Sequence, residues 1–355
     1  MTHTTLCGYE LTDVRKTLRE AIDRRDTRAA GRWTAELVAT PGAIGSLWAS
    51  FWLAWASGSG PAIPILLHQT WESMVSSAQN SGGDWKSFRN DPNVRATCYE
   101  MTLRLISQPR PPPVVWPSKE VSLFDISTLR DAWKLGTVPT AMDSPIVLRV
   151  WNREEDSLDL RYIAGQWVDS LTRGDIRIAL SCVAWSLLPT TDVKCSERGP
   201  PECSPKHRTS PLWFWLDMGK SMLLGQSHPG WMTFHAATRD AFKLHYKRWT
   251  STERMRVLLA WILQIRASCV LQSESLWVAN AIPLHTEDID RGYQEIAVEM
   301  SDPNAIVLAT QGKHTDKDKE KGKGKLKQEE KNELQRRAEE KLRQSDAIIM
   351  KMMGM

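Results

Sequence analysis

The chain has 355 residues, 41% of them hydrophobic, with 46 Lys and Arg against 42 Asp and Glu. That length allows two or three domains with sizeable cores, and the composition is that of a soluble globular chain. From Lys313 to Arg343 twelve Lys/Arg face eight Asp/Glu, so this stretch carries the whole formal excess of +4. The remainder is near neutral, which argues against coating DNA electrostatically in the histone manner.

In chain order, Leu11, Val14, Leu18 and Ile22 recur at spacings of three and four, one face of a first helix ending near Arg25. Asp26 or Thr27 is placed to cap a second helix carrying Ala29, Ala30, Trp33 and Leu37, which Pro41-Gly42 breaks. A third apolar helix holds Leu47, Trp48, Phe51, Trp52 and Trp55, and Gly58-Ser59-Gly60-Pro61 ends it. Further helices are read at Ile65 to Val75 and Val94 to Ile106, with a polar loop from Ser76 to Asn90 between them. Leu37 to Leu67 contains no charged residue. Its Pro and Gly interruptions nevertheless leave no unbroken apolar run of ~20 residues, so no membrane segment is expected.

Pro109 to Pro117 reads as a stiff extended connector, and 118–150 as a bridge with a short strand at Ile146 to Trp151. The first thirty residues then recur 149 positions later. Leu11, Val14, Leu18 and Ile22 fall on Leu160, Ile163, Trp167 and Leu171, and Arg24, Asp26, Arg28 and Ala30 on Arg173, Asp175, Arg177 and Ala179. Leu47-Trp48 reappears as Leu212-Trp213 at a longer offset, which places an insertion between Ala184 and Leu212. The expected fold is all-α, a tandem duplication of a helical module followed by a charged helical or disordered tail. The expected divisions are 1–108, a first module; 109–155, connector and bridge; 156–305, a second module with a loop insertion at 185–211; and 306–355, the tail.

Several motifs invite chemistry. Gly219-Lys220-Ser221 resembles the end of a phosphate-binding loop, but Phe214 stands where that loop needs glycine, so a packed helix is expected. Cys195, Cys203 and His207 are candidate metal ligands spaced C-x7-C-x3-H. They lack the close cysteine pair of structural zinc, and a fourth ligand unless Glu197 or Glu202 serves; a flexible loop is the favoured reading. The six cysteines are scattered and no secretory leader is apparent, which reads as reduced thiols in an intracellular protein. Nothing in the spacing brings the eight histidines to a nucleophile, so no catalytic residue, no cofactor and no enzymatic activity are expected.

Arg239, Lys243 and Lys247 lie at i, i+4 and i+8 beside Tyr246 and Arg248, a basic and aromatic stretch suited either to nucleic-acid contact or to a solvated face. Lys321, Lys323 and Lys325 in the tail carry the same two readings. Seventeen Trp against six Phe and five Tyr suggest packed interfaces or binding grooves, with Trp48, Trp52, Trp55, Trp213 and Trp215 as candidate oligomer or partner contacts.

The stretch from Gly8-Tyr9-Glu10 through Trp55 resembles the C-terminal helical collar of the replication-associated recombination ATPases (the RarA/MgsA group), relatives of clamp loaders. The resemblance rests on Val14 to Ile22, the Arg24-Arg25-Asp26 turn, Ala29-Ala30-Trp33 and Leu47-Trp48. It implies an oligomerising scaffold; the ATPase motifs of that family are absent from the sequence. The resulting expectation is a non-enzymatic accessory protein of DNA replication or recombination. It would assemble with itself or with replication proteins and contact DNA weakly. The alternative is a structural or interaction protein with no nucleic-acid role.

Overall fold

Asp26, Asp91, Ser144, Asp175 and Ser210 each start a helix by accepting from a free backbone amide. The computed structural model describes residues 4–58, 60–80, 88, 90–108, 140–188, 191, 193–224, 229–270 and 287–301. The Pro109–Pro117 connector, most of the bridge, and the tail from 306 with its expected helix lie outside the described residues. Among those described, every regular element is helical, with one isolated bridge between Thr4 and Glu10. The all-α expectation holds.

The chain divides into two units. The first takes residues 4–54, 69–108 and 287–301 of those described. It contains α1 (Leu11–Arg24), α2 (Thr27–Ala39), nearly all of α3 (Ile44–Trp55), the later part of α4 (Ala62–Asn80), α5 (Pro92–Ser107) and α13 (Glu287–Ser301). α1 buries Val14, Leu18, Ala21 and Ile22, the face expected from spacing. Helix α2 packs against α1, α5 and α13. The first part of the loop expected from Ser76 to Asn90 is helical, because α4 continues to Asn80.

α13 corrects the expected division at 305. Expected in the second module, it instead places Ile289 and Ile296 with Cys7, Ala35, Tyr99 and Leu103 in one core cluster of the first unit. The helices α2 and α13 approach closely at small residues. A Cβ on Gly292 would stand 3.1 Å from both the Ala35 Cβ and the Arg32 Cα. The segment before α1 also belongs to this core, since Cys7 is buried and its N–H donates to Glu36 Oε1 at 3.0 Å.

The second unit takes residues 55–68 and the described part of 109–279. After a 3-10 turn at Thr140–Asp143 come α6 (Pro145–Leu148), α7 (Leu158–Arg173), α8 (Ile176–Ser186), α9 (Pro205–Arg208), α10 (Pro211–Leu223), α11 (Gly230–His245) and α12 (Ser251–Val270). The strand expected at Ile146 is instead the short helix α6. Ser144 accepts from Val147 N–H and Pro145 occupies the first turn, a helix start that outweighs the apolar run. This end of the bridge packs into the second unit, where Met142 fills the space beside Gly165.

The repeated stretch adopts the same corner twice. Arg25 and Gly174 both take the left-handed conformation that ends α1 and α7. Asp26 N–H donates to Ala21 O at 2.9 Å, and Asp175 N–H to Ser170 O at 2.8 Å. The Asp26 carboxylate then accepts from Ala29 N–H at 3.0 Å, and that of Asp175 from Ile178 N–H at 3.2 Å. Each partner in the second corner lies 149 positions after its counterpart, so the satisfied helix-end carbonyls and amides are the same set.

Candidate functional site

α11 carries the basic and aromatic stretch singled out in the sequence. Trp231, Phe234, Thr238, Ala241, Phe242 and His245 form its buried side. On the other side, Arg239 Nη1 donates to Asp217 Oδ1 at 2.6 Å and Nη2 to Arg198 O at 3.4 Å, while its guanidinium lies 5.8 Å from the Trp213 ring centre. Lys243 Nζ meets Asp240 Oδ1 at 2.6 Å. Two of the three cations at i, i+4 and i+8 are therefore engaged within the unit, and Lys247 alone of the three is exposed without an ion-pair partner among the described residues. Arg248 is half-buried and donates to Leu244 O at 3.2 Å.

Tyr246, a candidate nucleic-acid contact, is only 4% exposed, so its ring is not open for stacking on bases. Its ring lies parallel to Trp213 at 6.0 Å, against His207 at 4.8 Å, and under the Arg254 guanidinium at 4.1 Å. Lys321, Lys323 and Lys325 lie outside the described residues.

The candidate partner contacts are corrected in the same way. Trp48, Trp52, Trp55, Trp213 and Trp215 are all at most 2% exposed and form core rather than a docking groove. Burying a large indole is favourable once its N–H finds a partner inside. Trp55 Nε1 donates to Gly60 O at 3.1 Å, Trp213 Nε1 to His207 O at 2.9 Å, and Trp215 Nε1 to Ser186 Oγ at 2.7 Å.

The structure does not assemble Cys195, Cys203 and His207 into a metal centre. Among the described residues no three His, Cys, Asp or Glu side chains gather to hold a metal ion. Cys195 is buried beside Asp156 and Arg198, and burial with the Asp156 charge pushes its thiol up to about 12. Burial likewise raises the Cys203 thiol. His207 Nδ1 pairs with Ser204 Oγ at 3.0 Å. Burial, then Arg254, Lys206 and Lys247, hold its pKa below the ordinary histidine value. The insertion that contains these residues is pinned to the unit rather than loose. Asp156, with its side chain wholly buried, accepts from Asn152 N–H at 2.7 Å, Ser196 N–H at 2.6 Å and Arg198 Nη2 at 2.6 Å. The backbone closes the same loop, because the Arg198 and Gly199 N–H groups both donate to Arg208 O at 3.0 Å.

Gly219 sits inside α10, as expected for a packed helix. A Cβ there would meet the Trp261 ring at 2.0 Å, so the glycine serves helix contact. In the first unit a cleft of about 550 Å³ between α4 and α5 is lined by residues including Thr70, Ser73, Asn93 and Thr97. Asp91 on its rim accepts from Asn93 N–H at 2.8 Å as the cap of α5.

Sequence reasoning missed two buried charge networks. Around Asp156, Arg198 also contacts Asp217 at 3.5 Å and Val150 O at 2.7 Å. In the first unit Arg32 joins Glu36 at 2.8 Å, Glu299 at 2.9 Å and Glu295 at 3.5 Å. Burial alone would raise the Glu36 pKa, but Arg32 and the Cys7 N–H hold it below the ordinary value. Only the Arg32–Glu36 spacing of four residues was a signal within one helix. No family model, no curated protein and no solved structure matches the chain. No helix among the described residues is long and apolar enough to cross a membrane.

Proposed function

We propose that the chain is a non-enzymatic helical scaffold of DNA replication or recombination, two copies of one collar-like module acting by assembly with itself or with replication proteins and contacting DNA weakly. The carrying observation is the shared corner: Arg25 and Asp26 in the first unit, Gly174 and Asp175 in the second, close their helix ends on carbonyls and amides 149 positions apart. Two helical hairpins built on one local plan support descent from one module, and the resemblance of Gly8 through Trp55 to a collar supports an assembling role. Light scattering coupled to size exclusion tests it. The expected result is a mass that rises above one chain with concentration. A single-chain mass at every concentration would remove self-assembly.

The second reading is an interaction protein with no nucleic-acid role. It is favoured by the pairing of Arg239 with Asp217 and of Lys243 with Asp240, which engages cations that DNA contact would use. Binding of a labelled DNA duplex at low salt separates the two readings.

A further inference from the structure

We infer that Lys206, Lys247 and Arg254 form a phosphate-binding patch beside Tyr246 and His207, which takes the sugar–phosphate backbone of a nucleic acid. This deepens the DNA-contact part of the proposed function and rests on it, but moves the contact away from the α11 stripe.

Three segments converge there. The short helix α9 contributes Lys206 and His207, the end of α11 contributes Tyr246 and Lys247, and the first turn of α12 contributes Arg254. His207 against Tyr246 at 4.8 Å brings α9 to the end of α11. Arg254 Nη1 donates to Tyr246 O at 3.0 Å and Nη2 to Ser251 Oγ at 3.2 Å, which fixes its charge over the ring. Lys206 and Lys247 are exposed and have no ion-pair partner among the described residues. The neighbouring carboxylates offset only part of this charge. Glu197 pairs with Arg208, and Glu253 accepts from Thr250 N–H at 2.9 Å, leaving exposed Glu202 as the other acid near Cys203.

The common field is felt at two separate groups: Lys247 and Arg254 act on both His207 and Cys203. The exposed cations are lysine ammoniums, point charges suited to the spread charge of a phosphodiester backbone. Two of the five N–H donors of the Arg254 guanidinium are engaged within the chain, and the others remain for a phosphate oxygen. Tyr246 is buried, so contact is with phosphates and independent of base sequence.

The test is fluorescence anisotropy of the full chain with a labelled duplex and a single strand of about 30 nucleotides, from about 50 to about 200 mM salt. Lys206→Glu with Lys247→Glu is expected to weaken binding at least about tenfold and lower the salt slope by about two. The charge-matched control Lys16→Glu with Lys220→Glu is expected to change it far less, and circular dichroism checks that both variants fold. Equal loss in patch and control variants overturns the patch and leaves DNA contact elsewhere standing. No binding by the unaltered chain at the lowest salt overturns both the patch and the DNA reading. Competition by polyglutamate at the same charge concentration as DNA overturns the nucleic-acid assignment in favour of an acidic polypeptide.

Discussion

Arg25 and Gly174 hold the same left-handed backbone position at φ 58° and φ 84°, and only one of them is glycine. A side chain there costs roughly 1 kcal/mol, because Cβ crowds the following carbonyl. Arg25→Gly is therefore expected to stabilise the chain by about 0.5 kcal/mol, since glycine's greater freedom when unfolded offsets part of the gain. Gly174→Ala is expected to destabilise it by about 1 kcal/mol. Urea denaturation midpoints check both, and a loss of stability in Arg25→Gly would refute the argument.

Arg32 neutralises Glu36, whose side chain is fully buried. Arg32→Ala leaves that carboxylate without its partner and is expected to cost about 3–5 kcal/mol, with α13 becoming the first site of proteolysis. The folded pKa of Glu36 lies below its ordinary value of 4.5. The contribution is thus present above that value and lost as pH falls through the folded pKa. Proteolysis followed by mass spectrometry at neutral and acid pH reads both effects.

His235 is 3% exposed, its Nδ1 has no hydrogen-bond partner among the described residues, and its ring lies 5.6 Å from Trp261. Burial first, then Arg239 and Lys220 against Asp240, lower its pKa from 6.5 to about 4. Below pH 6.5 the unfolded chain takes up the proton more readily, so stability falls as pH drops from 6.5 towards 4 and then levels. The full effect is about 3 kcal/mol. His235→Phe is expected to flatten that part of the pH–stability curve; an unchanged slope would count against it.

Gly219→Ala tests the contact behind the Gly-Lys-Ser motif. Alanine is the better helix former by about 1 kcal/mol. Its Cβ would nevertheless overlap Trp261 and Ile265, both fully buried, and overpacking of this kind costs about 1–3 kcal/mol. A net loss of stability is expected in thermal denaturation, whereas a gain would show that α10 and α12 pack more loosely than these distances require.

Asp156→Ala removes the acceptor that holds Asn152, Ser196 and Arg198 together. It is expected to cost about 3–5 kcal/mol, because the largely buried Arg198 loses its nearest carboxylate. Faster cleavage between 193 and 204 in limited proteolysis is the accompanying sign.

Features closed within a few residues were legible in the sequence. The α1 face, the Asp26 and Asp175 caps and the break at Pro41-Gly42 depend on local spacing and on amides two to five positions away. The same holds for the helical reading of Gly219, where Phe214 sufficed to exclude the phosphate loop. The Ile146 strand failed because an apolar run has no period of its own, while Ser144-Pro145 is a specific helix start.

The sequence by itself determined the all-α class and the paired helical corners, since capping and 3.6-residue periodicity act within one or two turns. Only the tertiary structure decided where charge and tryptophan end up. Arg32 meets Glu299 across 267 positions, Arg239 meets Asp217 from another helix, and the five candidate indoles turn inward. Desolvation and pairing depend on which surfaces meet, a property no stretch of residues holds alone.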